Sequence, residues 1–204
     1  IYSYSETYRQ LGVKSGDRIV LRAIRDVRYI AAFYACHLLS AVPVPVENEI
    51  GKERVVDIAE ETNAGLIICN SMDCGGKCIG YEQLDDQTTI VSDIPVSSLA
   101  FPELNEPAQI LFTTGTTGKS KGVVHSHSNM TNAAYNHAEA IGPKEGGIYG
   151  NSFPLNHIGA ISILHTVLAN GQTFAVMPSW NDLNQVMRIL LDGKVTSAHC
   201  PVVA

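Results

Sequence analysis

The chain has 204 residues, of which 45% are hydrophobic and 17% are charged, and its formal net charge is −6. This length predicts one domain or two small ones with a sizeable core. Basic residues cluster no further than Lys119–Lys121, which excludes nucleic acid as an expected partner. No apolar run approaches the roughly 18 residues that a membrane span requires. With no recognisable signal peptide, the sequence predicts a cytoplasmic protein that has no membrane partner.

The first half of the chain alternates strand patterns with helix patterns. In chain order, the predicted elements are a strand at 18–24, a helix at 27–41 capped by Asp26, an extended segment at 42–46, a helix at 52–62 and a strand at 65–69. This alternation indicates a parallel sheet covered by helices. Pro43 and Pro45 place the extended segment at an edge or mouth of that sheet.

Two stretches lack a regular pattern. Residues 1–17 are polar and aromatic and end in a turn, and residues 70–107 are predicted to be largely irregular. Cys74 and Cys78 lie in the second stretch, but a zinc site would need two further ligands, and no second cysteine or histidine pair at finger spacing exists. We therefore expect a solvent-facing turn here rather than a metal site. The odd count of five cysteines favours a reducing cytosol.

Residues 110–126 form a turn rich in hydroxyls, glycines and lysines between two apolar runs, which predicts strand, flexible loop, strand. Glycines let backbone N–H groups close on an anion, hydroxyls add donors, and lysines supply positive charge. This composition predicts a binding loop for a polyphosphate. It is not a Walker loop, because only two residues separate Gly115 from Gly118, where that motif needs four before its Gly-Lys pair.

The second half of the chain continues the alternation. Its predicted elements are a helix at 129–140 capped by Ser126 or Ser128, a helix at 158–169 that is apolar nearly all round, a strand at 173–177, a helix at 182–191 and a strand at 195–200. His125 and His127 flank the first of these helices. Because alternate strand residues point to opposite faces, at most one of them is expected to face a phosphate, and a surface histidine at a helix entry is the alternative.

Three stretches resemble one family. The order Thr-Thr-Gly-Thr-Thr-Gly-Lys-x-Lys-Gly at 113–122 resembles the phosphate loop of the adenylate-forming, AMP-binding superfamily, which includes acyl-CoA synthetases, with Ser120 where those loops usually have proline. Segment 12–48 resembles the N-terminal part of the superfamily, with Ser40 in place of glycine. Pro154-Leu155-Asn156-His157-Ile158-Gly159 resembles its next motif, a turn beside the acyl pocket.

The resemblance implies an α/β fold with doubly wound, mostly parallel sheets and helices on both faces, as an incomplete N-terminal part of the AMP-binding ligase large domain. It places the first subdomain, with the phosphate loop, at about 1–126 and the start of a second at about 127–204. It implies that ATP is held by Thr113, Thr114, Gly115, Thr116, Thr117, Gly118, Lys119, Lys121 and Gly122. Mg²⁺ would lie near Thr117 through the phosphates, and His157, Ile158 and Gly159 would contact the carboxylic acid; a histidine packed in a helix-entry turn is the alternative for His157.

The implied reaction is attack of a carboxylate on the α-phosphorus of ATP, loss of pyrophosphate and capture of the acyl-adenylate by a thiol. The sequence thus predicts the N-terminal portion of an AMP-forming carboxylate–CoA ligase that uses ATP, Mg²⁺ and coenzyme A on a fatty or aryl acid. The alternatives are an adenylation domain that loads a carrier protein and a non-catalytic nucleotide-binding remnant. The superfamily's adenine, ribose and late lysine motifs would follow Ala204, so we expect this chain to be inactive alone and to form a homodimer through truncated surfaces.

Overall fold

The structure is a computed structural model that describes residues 1–70, 74, 78–88, 95, 99, 101–113, 120–142, 145–178 and 182–199. It divides into two compact units, Ile1–His127 and Ser128–Ala204. The strands are β1 (Arg18–Arg22), β2 (Val42–Val46), β3 (Ala64–Cys69), β4 (Cys78–Gly80), β5 (Pro107–Thr113), β6 (Lys121–Ser126), β7 (Ile148–Asn151), β8 (Thr173–Val176) and β9 (Ser197–His199). The helices are α1 (Tyr2–Gln10), α2 (Val27–His37), α3 (Lys52–Glu61), α4 (Tyr81–Asp86), α5 (His127–Ile141), α6 (Ile158–Ala169) and α7 (Leu183–Asp192).

The first unit is built on a parallel four-stranded sheet in the order β2-β1-β3-β4. Both faces of the inner strand β1 are buried, since Ile19, Val20 and Leu21 are all fully shielded from solvent. Helix α3 packs Val55 and Ile58 against the face that carries Val20. Parallel strands buried on both faces are typical of α/β domains, so the predicted fold class is confirmed.

Helix α2 begins where the sequence predicted. The side chain of Asp26 accepts a hydrogen bond from the backbone N–H of Arg28 at 2.9 Å, which satisfies one of the donors left open at a helix N-terminus. The helix ends at His37, and Ser40 follows with a φ of 50°, a left-handed conformation that favours glycine. Ser40 therefore occupies a position where the superfamily's glycine would fit without strain.

Strand β2 lies at an edge of the four-stranded sheet, as its prolines predicted. The N–H of Val42 donates to Asp17 and the carbonyl of Val46 accepts from Ala23, so the even-numbered residues of β2 point their backbone groups at the β1 side. Pro43 and Pro45 point the other way, and neither has an N–H to donate. Strand β5 contacts β2 yet belongs to a separate antiparallel pair with β6, which the missing donors explain.

The sequence pattern predicts no element at 1–17, and the prediction of little regular structure at 70–107 was wrong in part. Helix α1 covers most of the first stretch, and β4 followed by α4 occupies part of the second. The expected solvent-facing turn at Cys74 is also contradicted, because Cys74 is buried in the core formed by β1, β2, β3 and α3. Burial of hydroxyl-bearing side chains in α1 explains why its sequence lacks an apolar stripe.

The second unit contains a parallel three-stranded sheet in the order β8-β7-β9. Helix α6 buries residues around much of its circumference, including Ile161, Leu164 and Val167, as its apolar sequence predicted. Asp182 caps α7 by accepting from the N–H of Gln185 at 3.0 Å. Helix α5 begins at His127, so Ser128 lies inside its first turn and is not its cap. Within the described residues, no helix combines the length and the hydropathy needed to cross a bilayer.

Candidate functional site

The predicted phosphate loop connects the two strands of an antiparallel hairpin, β5 and β6. Strands β5 and β6 pair up to their ends, with Phe112 opposite Gly122 and Thr113 opposite Lys121. Thr113, Lys121 and Gly122 are exposed, and the hydroxyl of Thr113 donates to the Lys121 carbonyl at 3.5 Å. The structure therefore brings these three predicted site residues together at the open end of the hairpin. The other predicted loop residues lie outside the described ranges and remain predictions; they are Thr114, Gly115, Thr116, Thr117, Gly118 and Lys119.

The hairpin is held against α3 by Arg54. Its guanidinium lies 5.4 Å from the ring centroid of Phe112, and its Nη2 donates to the hydroxyl of Ser120 at 3.2 Å. Its Nη1 pairs with Glu61 at 2.7 Å, which fixes the direction of the side chain. Arg54 thus connects β5 and the last residue of the loop to the neighbouring helix.

Sequence reasoning missed Arg54. The only signal in the sequence is the spacing of Arg54 from the acids of the same helix, which predicts ordinary surface ion pairs. The contact with an aromatic ring more than fifty residues away depends on tertiary structure. We assign Arg54 a positioning role, because it touches the end of the loop and one of the strands that carry it.

Gly122 has a packing role besides its place in the loop motif. A Cβ atom at this position would lie 3.1 Å from Cγ2 of Ile110 and 3.3 Å from Cζ of Phe112. We expect Gly122→Val to lower the free energy of unfolding by about 1–3 kcal/mol through overpacking, which exceeds the gain of up to about 1 kcal/mol that a β-branched residue brings to a strand. Chemical denaturation measures the change.

Val123→Thr is the matched control for that substitution. Val123 is the next residue of β6, points to the other side of the hairpin, and is 41% exposed, so its replacement should change stability by no more than about 0.5 kcal/mol. A Gly122→Val protein as stable as the unmodified chain would show that the close approach to Ile110 and Phe112 carries no energetic weight.

The two histidines beside the hairpin have different surroundings. His125 lies opposite Gln109 in the register of β5 and β6. The ring of His127 packs edge-on against His37, with centroids 4.9 Å apart, and Nε2 of His37 lies 2.9 Å from the carbonyl oxygen of Ala108. Burial lowers the pKa of His127, and the charge of Glu106 acts in the opposite direction. His127 is therefore neutral at pH 7 and supplies no charge for a phosphate.

A cavity of about 620 Å³ opens beside this histidine pair. Its lining includes His37, His127, Tyr34 and Phe101. Of the predicted phosphate-binding residues that the structure describes, none lines it. The cavity is thus distinct from the end of the hairpin, and its walls are mainly aromatic and aliphatic.

The predicted acid-contacting residues lie at the beginning of α6 in the second unit. His157 is the N-cap residue and makes no side-chain capping hydrogen bond, and His157, Ile158 and Gly159 are all exposed. A Cβ atom at Gly159 would meet nothing within 4 Å. Leu155, by contrast, is 1% exposed, so it anchors the turn while His157, Ile158 and Gly159 are exposed.

A helix-covered parallel sheet beside a hairpin whose loop is rich in hydroxyls and glycines is the arrangement expected of an α/β nucleotide-binding domain. The model of the family described as AMP-binding enzymes matches residues 4–202. The chain therefore belongs to the AMP-binding enzyme family, which confirms the resemblance drawn from its motifs.

Curated relatives include two acid–CoA ligases. The long-chain-fatty-acid–CoA ligase FadD13 of Mycobacterium tuberculosis is 27% identical over 198 residues, covering 91% of this chain and 39% of that protein. The 2-succinylbenzoate–CoA ligase of Bacillus licheniformis is 28% identical over 195 residues, covering 93% of this chain and 40% of that protein. The chain thus spans about two fifths of the length of these relatives.

Solved structures share the fold. The inhibitor-bound N-terminal domain of FACL13 from Mycobacterium tuberculosis gives a TM-score of 0.81 at 23% identity, covering 96% of this chain and 52% of that one. The O-succinylbenzoate coenzyme A synthetase of Bacillus subtilis, in complex with ATP and magnesium ion, gives 0.82 at 20% identity, covering 97% of this chain and 53% of that one. Both matches confirm the predicted fold.

Proposed function

We propose that this chain supplies the phosphate-binding and part of the acid-binding surface of an AMP-forming carboxylate–CoA ligase. The observation that carries the proposal is the hairpin end, where exposed Thr113 and Lys121 face each other in a chain that belongs to the AMP-binding enzyme family. Coenzyme A is preferred to a carrier protein as the acceptor, because the curated relatives are CoA ligases. We also propose that the protein is cytoplasmic.

The residues at the hairpin fit the triphosphate of ATP. Lys121 offers an ammonium group and Thr113 a hydroxyl at the rim of the loop, and phosphate oxygens are strong acceptors for both. Lys119 and the glycines and threonines of 114–118 would complete the binding loop, with Mg²⁺ bound through the phosphates near Thr117. Because attacking carboxylate and phosphate are both negative, the role of these residues is to position the reactants and to offset charge.

The beginning of α6 is the proposed contact for the carboxylic acid. His157 is the N-cap residue of a 12-residue helix, and the positive end of a helix dipole favours an anion. The open space at Gly159 leaves the backbone there accessible. The acid in this proposal is a fatty or an aryl acid.

The isolated chain provides the test. We expect it to bind ATP–Mg²⁺, to lose that binding when pyrophosphate is added, and to release no pyrophosphate when fatty and aryl acids are supplied. Equilibrium binding and an enzyme-coupled pyrophosphate assay measure these three properties. Failure of ATP to bind would overturn the proposed site, whereas steady pyrophosphate release would overturn only the expectation that this chain is inactive alone.

Self-association is a further part of the proposal. Strand β6 exposes Val123 and Val124, at 41% and 57%, and exposed apolar side chains on an edge strand favour pairing with a second copy. We expect a homodimer at high protein concentration, with light scattering as the measurement. A monomeric mass across the whole concentration range would contradict it.

A further inference from the structure

Three cysteines of the first unit converge in space. The sulfur atoms of Cys69, Cys74 and Cys78 all lie within 4.8 Å of one another, and the sulfurs of Cys69 and Cys78 are 3.0 Å apart. Cys69 and Cys74 are almost fully buried, Cys78 is half-buried, and none of the three forms a disulfide. The cluster lies in the core against which Ile110 and Phe112 of the hairpin also pack, and it includes none of the predicted phosphate-binding residues.

The sheet explains why the sulfurs meet. Cys69 is the last residue of β3, and Cys78, the first residue of β4, pairs with Ile67. Residues 67 and 69 share one face of the sheet, so Cys78 projects beside Cys69 on that face. Cys74 reaches the same point from the connection between the two strands. A sequence reading restricted to Cys74 and Cys78 lacked the third ligand, which the strand register supplies.

The separations of the three sulfur atoms fit ligation of one shared ion. Cys78 pairs with Ile67 and not with Cys69, and the sulfurs of Cys69 and Cys78, 3.0 Å apart, are well beyond the S–S bond length of about 2.05 Å. Thiolate ligands about 2.3 Å from one metal ion lie roughly 3.8 Å from each other. The observed separations of 3.0 Å and at most 4.8 Å bracket that value.

The buried position of Arg22 independently indicates that a negatively charged group lies at the cysteine cluster. It is the last residue of β1, two residues beyond Val20 on the same face, and Val20 pairs with Ile67. Arg22 is 7% exposed, and its Nε has no hydrogen-bond partner among the described residues. Burial raises the pKa of the Cys74 thiol, while the charge of Arg22 acts to lower it. A buried cation is costly unless something negative balances it.

We propose that Cys69, Cys74 and Cys78 form a tris-thiolate site for one thiophilic cation, Zn²⁺ or Cu⁺, and that the Arg22 guanidinium balances the net negative charge of the resulting complex. Three thiolates around Zn²⁺ carry one net negative charge, and around Cu⁺ two, so a guanidinium beneath the cluster stabilises either complex. Soft thiolate ligands select these ions over Mg²⁺ or Ca²⁺. The bound ion would fasten the connection between β3 and β4 to the sheet, which gives it a structural role apart from the proposed ligase chemistry.

Buried cysteines also occur as ordinary apolar core residues, and Cys36 is such a residue here. It is fully buried on α2, where its sulfur donates to the Ala32 carbonyl at 3.3 Å. Cys36→Ser therefore removes a buried thiol without touching the cluster. It is the matched control for Cys69→Ser, Cys74→Ser and Cys78→Ser.

The experiment is a titration of the metal-free, reduced chain with Zn²⁺ and, without oxygen, with Cu⁺, each against a chromophoric chelator. We expect one ion per chain for at least one of the two metals, a loss of at least tenfold in affinity for each cluster variant, and no change for Cys36→Ser. The thermal midpoint should rise with the ion. Stronger binding in one arm identifies which cation the site takes.

Co²⁺ loaded into the unmodified chain gives a readout that needs no variant to fold. Its thiolate-to-metal absorption should have the intensity of three sulfur ligands, and Arg22→Met should weaken binding while leaving that spectrum intact. Binding no tighter than that of a triple serine variant, a Co²⁺ spectrum without thiolate bands, or an equal loss in Cys36→Ser would overturn the site. Undiminished affinity in Arg22→Met would overturn the role of Arg22.

Discussion

Replacement of Phe33 by alanine is expected to lower the free energy of unfolding by about 3–5 kcal/mol, the usual range for truncating a buried aromatic ring. Phe33 is 1% exposed. Its ring centroid lies 4.9 Å from that of His37, 5.6 Å from that of Tyr34 and 6.1 Å from that of Tyr29. The ring of Phe33 is therefore the centre of a cluster of aromatic side chains, and its removal leaves a cavity that these rigid neighbours cannot fill.

The loss should spread beyond α2, because this helix contacts both β1 and β2. Urea unfolding followed by circular dichroism measures the change. Val27→Ala is the control, since Val27 begins the same helix and is 70% exposed, so its effect should stay within about 0.5 kcal/mol. A cost below about 1 kcal/mol for Phe33→Ala would mean that the aromatic group is loosely packed.

The second large effect is expected at the proposed phosphate site. Lys119→Ala combined with Lys121→Ala should weaken ATP–Mg²⁺ or pyrophosphate binding by about 1–3 kcal/mol, which corresponds to roughly 5-fold to 150-fold in affinity. Lys121 lies exposed at the hairpin end beside Thr113, where loss of its ammonium group removes a charge-assisted contact. Isothermal titration at constant salt measures the change, and the single variants separate the two lysines.

A control must remove the same charge elsewhere. Lys14→Ala combined with Lys52→Ala does so at two exposed positions, one in the turn before β1 and one at the beginning of α3. If the lysines of the loop act only through net charge, both double variants will weaken binding equally, and more at low salt. Unchanged affinity in the loop variant would reduce the hairpin to a structural feature.

Much of the fold could be predicted because its signals are local. Asp26 and Asp182 cap the helices that follow them, and the apolar sequence of α6 matches its burial. Helix α1 escaped prediction because it buries polar side chains that are satisfied by distant partners. Tyr4 donates to Asp85, Thr7 shares a hydrogen bond with Thr88, and Tyr8 donates to the Ala32 carbonyl. No periodicity of apolar residues records such contacts.

The candidate site also has residues that the sequence could predict and residues that it could not. The loop could be recognised because its hydroxyls, glycines and lysines are consecutive in the sequence. Arg54 could not, since its partners Phe112 and Ser120 lie on other elements. The cysteine cluster could not either, because only the register of β3 and β4 shows that Cys69 and Cys78 share a face.

The alternating prolines of β2 have a consequence for the behaviour of this chain in a crowded solution. The unpaired backbone groups at the edge of a β-sheet can hydrogen-bond to another chain, and amyloid fibrils grow by repetition of this pairing. On this flank Pro43 and Pro45 lack the amide hydrogens that a pairing strand would need, and β5 packs beside β2 without joining its sheet. If β5 were displaced, an incoming peptide would still find no donors at these two positions, so templated growth is disfavoured at this border.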